Sequence, residues 1–189
     1  MQWGLCLDTA LLYQRRDSGT WDALWAGLQE AGAGYLELPI GKAMGSEAEF
    51  DALRAWVAAA PLPVRAFSLF LSAAQRLTGP SVDLDCVLKY CRAALARGRA
   101  LGGDPVVLGS AGARRVPEGF DGAQAERQFC EFCRLLGPVA EAAGMDIAIE
   151  PLNAQEDNLI VSVAQGARLV DEVNHPLCRK RGISASTRL

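Results

Sequence analysis

Five short apolar runs, each followed by a segment with helical patterning, recur along this chain and leave few folds open to it. They cover residues 2–7, 34–39, 64–71, 105–109 and 146–150, and their starts lie about 30 to 40 residues apart, the size of one βα unit. Runs this short and this apolar read as strands covered on both faces, as in a parallel sheet. Between the first two runs, Trp21, Leu24, Trp25 and Leu28 fall at i, i+3, i+4 and i+7 and form one apolar stripe. Thr20 is placed to cap that helix, and Gly32 or Gly34 to stop it. Phe50, Leu53, Trp56 and Val57 form the next stripe, with Ser46 and Glu49 spaced as a capping box. Further helices are predicted over 82–101, 123–143 and 161–173. Strand–helix alternation of this kind implies a parallel sheet with right-handed crossovers. Two architectures satisfy it, an open doubly wound sheet and a piece of a (β/α)8 barrel. A glycine-rich phosphate loop after the first strand would favour the former, but that strand runs into Asp8-Thr9-Ala10-Leu11-Leu12.

At 189 residues with half of them hydrophobic and 22% charged, the chain has material for one domain with a substantial core. The net charge of −3 gives no basic field of the kind that attracts nucleic acid. Arg114-Arg115 and Arg179-Lys180-Arg181 are the two basic clusters, and each reads as a solvated loop or tail. No run reaches the ~20 apolar residues that span a bilayer. The first eight residues lack a basic n-region and reach Asp8 too early for a signal peptide, so a cytoplasmic location is expected. Six scattered cysteines fit a reducing compartment and read as small buried hydrophobes. Cys130 and Cys133 form a nominal CxxC, but inside a helical pattern and without a second pair, which points to packing.

Glu150 is the best single candidate for chemistry. It follows Ile147-Ala148-Ile149 and precedes Pro151, which cannot continue a ladder. A carboxylate beside apolar surroundings is costly unless paired, protonated or bound to a cation. Parallel α/β folds place their sites at such strand ends. Glu37 is expected to end the second strand and to line the same face, or else to pair with a basic residue. Arg114 or Arg115 is positioned either to meet an anionic substrate after the fourth strand or to lie on the surface. His175, the sole histidine, precedes a proline and reads as a helix terminator.

Several segments together resemble the xylose isomerase-like TIM-barrel family, which includes sugar isomerases, ketose 3-epimerases, hydroxypyruvate isomerase and endonuclease IV. They are Leu77-Thr78-Gly79-Pro80, the loop Leu108-Gly109-Ser110-Ala111-Gly112-Ala113-Arg114-Arg115-Val116-Pro117-Glu118-Gly119-Phe120, and Ile149-Glu150-Pro151-Leu152-Asn153, followed by Asn174-His175-Pro176. The resemblance implies a (β/α)8 barrel fold with about five of its βα units in this chain. It also implies a sugar, sugar phosphate or hydroxy-ketone isomerase or epimerase using a divalent metal (Mn2+, Mg2+ or Co2+). In such relatives the glutamate matching Glu150 binds the metal and acts as acid/base, and the one matching Glu156 contacts substrate hydroxyls. Glu156 also reads as an exposed loop acid beside Asp157. The implied partner is a small sugar-type molecule, with no nucleic acid and no membrane. An endonuclease IV-like phosphodiesterase is the alternative, at odds with one histidine and a pI of about 5.3. A non-catalytic binding module of the same fold is the other.

The resemblance covers residues 1–176, and 177–189 form a divergent basic tail. The carboxylate and histidine ligands that relatives carry beyond the His-Pro have no counterpart here. The expectation is therefore a truncated, inactive family member, perturbed by a frameshift near Leu177. Its fifth strand is expected to expose an edge through which copies associate.

Overall fold

The computed structural model describes residues 3–7 and 18–174. The expected readings at His175 and over 177–189 lie outside them. Five strands, β1 (Trp3–Cys6), β2 (Ala33–Pro39), β3 (Val64–Ser68), β4 (Val106–Leu108) and β5 (Ile147–Ile149), form one sheet in sequence order, every pair parallel. Helices α1 (Ser18–Glu30), α2 (Glu47–Ala59), α3 (Leu84–Ala100), α4 (Ala111–Arg114), α5 (Gly122–Ala143) and α6 (Val163–Val173) connect them, with a 3-10 turn at Ile40–Met44. Each strand falls on one of the five apolar runs to within a residue at either end, except that the run over 64–71 extends three residues past β3.

Alternation along the strands divides the sheet into two faces. Leu36, Leu38, Phe67, Val106, Leu108 and Ile149 are inaccessible or nearly so, and Phe67 packs on Gly98 of α3. On the other face Cys6 registers with Glu37, and Glu37 with Ala66. Cys6 Sγ and Ser68 Oγ meet at 3.6 Å across that face. Their strands flank β2, so a flat sheet would hold them about 10 Å apart. The contact therefore requires the sheet to curl toward that face, as a barrel wall does. No ladder joins β5 to β1 among the described residues, so their five strands form an open arc.

Local chemistry explains the helix starts. Ser46 caps α2 by accepting from Glu49 N, while Glu49 Oε2 accepts from Ser46 N at 2.8 Å, which is the capping box expected from sequence. Arg97 of α3 donates to the carbonyls of Ala43 and Gly45 at 2.6 and 2.7 Å, pairs with Glu47, and lies 4.8 Å from the Phe50 ring centroid. It thereby seats the start of α2 against α3. Trp21, Trp25 and Trp56 meet in a cluster with ring centroids 5.3 to 5.8 Å apart, joining α1 to α2.

Two expectations change. Cys91, Cys130 and Cys133 are buried as expected, and burial pushes the Cys91 thiol up to about 12 and Cys130 to about 11, but Cys6 and Cys86 are exposed. Glu37 does not end β2, which continues through Leu38 to Pro39. β5 is the last strand of the sheet among the described residues, and its Ile147, Ala148 and Ile149 are buried. Leu152 N donates to Ile160 O, folding the following loop back so that Asp157, Leu159 and Ile160 are buried.

Candidate functional site

The carboxyl ends of β3, β4 and β5 open into a cavity of about 370 Å³. Glu150 is placed there by chain geometry. β5 ends at Ile149, Glu150 N still donates to Leu108 O at 3.3 Å, and Pro151 then turns the chain away. The side chain lies over Gly109, the matching position at the end of β4. A Cβ added at Gly109 would collide with Glu150 Oε2, so only glycine leaves the carboxylate where it is. Glu150 is 8% exposed, enough to present one edge to the cavity.

Glu156 lines the same cavity from the loop after β5 and is exposed. Sequence reasoning thus named both acids that the fold brings together. Glu37 is half-buried and not among the residues lining the cavity.

Arg114 is neither a substrate contact nor a surface residue, for its side chain is 0% exposed. Its Nε donates to Asp157 Oδ2 at 2.7 Å, Nη1 to Leu108 O at 3.0 Å, and Nη2 to Glu150 O at 2.8 Å. Asp157 in turn accepts from the backbone N–H groups of Asn158, Leu159 and Ile160. Burial pulls the guanidinium pKa down, and the charges of Asp157 and Glu150 oppose that pull. The group closes off the ends of β4 and β5 where ladder bonds run out, and its donors are committed to main chain and Asp157. Arg115 clamps the same loop through the carbonyls of Gln155 and Glu156 at 3.2 and 3.1 Å. The basic pair that read as a solvated loop is therefore the brace of the site.

Two more residues escaped sequence reasoning. Leu69 and Ser110, directly after β3 and at the start of α4, adopt left-handed backbone conformations, with φ of 50° and 45°. Ser110 Oγ accepts from Leu71 N at 3.0 Å and ties the two strand ends together. Neither residue type carries a turn signature that announces positive φ. Asp157 did carry one, since an Asx residue before Asn158 favours a local turn that accepts from following N–H groups.

As metal donors, Glu150 and Glu156 are the two acids lining the cavity. Among the described residues no group of three or more His, Cys, Asp or Glu side chains is arranged to hold an ion. Hard divalent cations take about six or more oxygen ligands, so this donor set does not fit a resident divalent ion.

Comparison with known proteins bears on the same region. The family model described as xylose isomerase-like TIM barrel matches residues 25–179. No curated protein matches the chain in sequence. Among solved structures it is similar to D-psicose 3-epimerase from Clostridium cellulolyticum H10, crystallised with D-tagatose, at 21% identity and a TM-score of 0.70, over 94% of this chain and 61% of that one. An AP endonuclease of family 2 from Brucella melitensis follows the same course at 19% identity and 0.67, over 93% and 65%. So does the IolI protein with a binding zinc atom, at 15% and 0.59, over 91% and 59%. At such identities the likeness is one of fold. The chain spans about three fifths of the length of these proteins.

Proposed function

The chain belongs to the xylose isomerase-like TIM-barrel family, and from that premise we propose that its cavity takes a sugar-type substrate for isomerisation or epimerisation, with Glu150 as the acid/base carboxylate. The observation that carries this is the seating of Glu150, a nearly buried carboxylate held over Gly109 at the strand ends. Such a base removes the proton from a carbon beside a carbonyl and returns it through an enediolate. One base on one face moves the proton between adjacent carbons, and with the hydroxyl proton passing to the former carbonyl oxygen this is aldose–ketose isomerisation. Inversion at a single carbon needs a second acid on the opposite face. Glu156 is the other acid of the cavity, and it serves there or as a contact to substrate hydroxyls. The likeness to D-psicose 3-epimerase with D-tagatose and to L-ribulose 3-epimerase supports the substrate class.

A divalent ion would find its first carboxylate in Glu150, but the described donors do not fit a resident one, so the proposed proton transfer is assigned to Glu150 itself. Calorimetric titration of Mn2+ into the chain and into Glu150→Gln tests the metal role. Heat present in the former and lost in the latter supports Glu150 as a ligand.

The function is tested by incubating the full chain with ketoses and aldoses in D2O and following carbon-bound hydrogen by NMR. Deuterium should enter at a carbon next to the carbonyl, and Glu150→Gln should abolish its entry. Gly109→Ala, which displaces the carboxylate, should reduce it at least tenfold. Binding without exchange supports the other reading, a sugar-binding module of the same fold. Absence of both binding and exchange across the sugar panel defeats the proposal.

A further inference from the structure

Leu69 stands apart among the residues that line the cavity. Leu69 is 57% exposed, lines the cavity with Glu150, and sits at φ 50°, a conformation that disfavours any residue with a Cβ. Its neighbours enforce the turn. Ser68 before it is 4% exposed, Phe70 and Leu71 after it are 0% and 4%, and Leu71 N is held by Ser110 Oγ. With both flanks locked, the left-handed turn throws the leucine out into the cavity. A glycine would relieve the backbone, and a polar residue would suit the solvent. Strain of this sort, held in place by its surroundings at the mouth of a cavity, points toward a ligand.

The ligand's character follows from what surrounds Leu69. Leu71 and Leu152 extend its apolar wall, while the ionised side chains contributed by the described lining residues are the carboxylates of Glu150 and Glu156. The guanidinium groups of Arg76, Arg114 and Arg115 are engaged with Asp157 and with main-chain carbonyls. An anionic substituent entering this cavity meets two carboxylates, an apolar wall, and two serines, Ser72 and Ser110, whose hydroxyls are bonded to Gln75 and to the Leu71 backbone.

We infer that Leu69 is a specificity-determining residue that receives a deoxygenated, apolar portion of a neutral sugar-type substrate, with the reacting carbons at Glu150. This rests on the sugar reading above and narrows it, against phosphorylated sugars and toward deoxy sugars. A hydroxyl pressed against leucine loses its water and gains no partner, whereas a methyl group gains contact. One such group in an apolar pocket changes affinity by about tenfold or more.

Calorimetry on the full chain with a ketohexose, its 6-deoxy analogue and its 6-phosphate tests the inference. The native chain should bind the deoxy sugar about tenfold more tightly than the parent, and the phosphate least. In Leu69→Gly the deoxy preference should vanish, the two neutral sugars binding within about threefold of each other. The urea midpoint of that variant should be unchanged or raised, because glycine tolerates the left-handed turn. Equal native affinities for parent and deoxy sugar overturn the inference and leave the sugar reading standing. A preference that survives in Leu69→Gly, or tightest binding of the phosphate, does the same. Failure of all three sugars to bind overturns both.

Discussion

Arg114 is fully buried, bonded to the strand ends of β4 and β5, and paired with an equally buried Asp157. Removing one member of such a pair strands the other's charge in the interior, which costs about 3–5 kcal/mol, whereas replacing both with apolar residues of similar volume is often near neutral. Arg114→Met should therefore unfold at markedly lower urea, and Arg114→Met combined with Asp157→Leu should recover most of the loss. Equal destabilisation by single and double variants would show that the carbonyl bonds, and not the ion pair, dominate. At this scale Glu150 was legible because an acid between an apolar run and a proline is conspicuous, whereas Glu156 was named only through the family resemblance. The sequence concealed Arg114, because a basic residue in a glycine-rich loop has the same local signature whether it faces solvent or a buried acid 43 positions away. Leu69 was equally hidden, since its conformation is imposed by the burial of Phe70 and Leu71.

Helices and strands were more legible than their ends. The stripe of Phe50, Leu53, Trp56 and Val57 and the Ser46–Glu49 box identified α2 from spacing alone, and both bonds of the box are present. Ser46→Ala should lower stability by about 1 kcal/mol in urea unfolding at pH 7. The loss should depend on pH. The Ser46 backbone and hydroxyl bonds hold the Glu49 carboxyl below its usual 4.5, so its contribution is present above that value and fades as pH falls through it. The gap between native chain and variant should narrow under acid, and a gap constant from pH 7 to pH 3 would count against the box. The elements that periodicity missed are α4 and the 3-10 turn at Ile40–Met44, both too short to complete an apolar stripe. The run over 64–71 overshot β3 because its last residues are apolar for cavity and core rather than for the sheet.

Across the whole molecule, one hydrophobic core extends from Leu7 to Val173 and draws on every helix–sheet layer described. The rhythm of apolar runs made this parallel α/β layout readable before any contact was known, because each βα unit needs its neighbours to cover its strand. Curvature was not readable, since it rests on which residues meet across β2, as Cys6 and Ser68 do. A continuous core implies a single cooperative transition, so denaturation followed by far-ultraviolet circular dichroism and by indole emission should give the same midpoint. Separate midpoints would divide the chain into independent units. The two probes sample different places, and the tryptophan cluster on α1 and α2 explains why. Trp3, Trp21, Trp25 and Trp56 are the chain's four tryptophans, and all precede β3. Indole fluorescence therefore watches the N-terminal flank of the arc while the strand ends bearing Glu150 remain optically silent. A sugar entering the cavity need not change the emission at all, and a tryptophan introduced near the exposed Glu156 would give the site a reporter of its own.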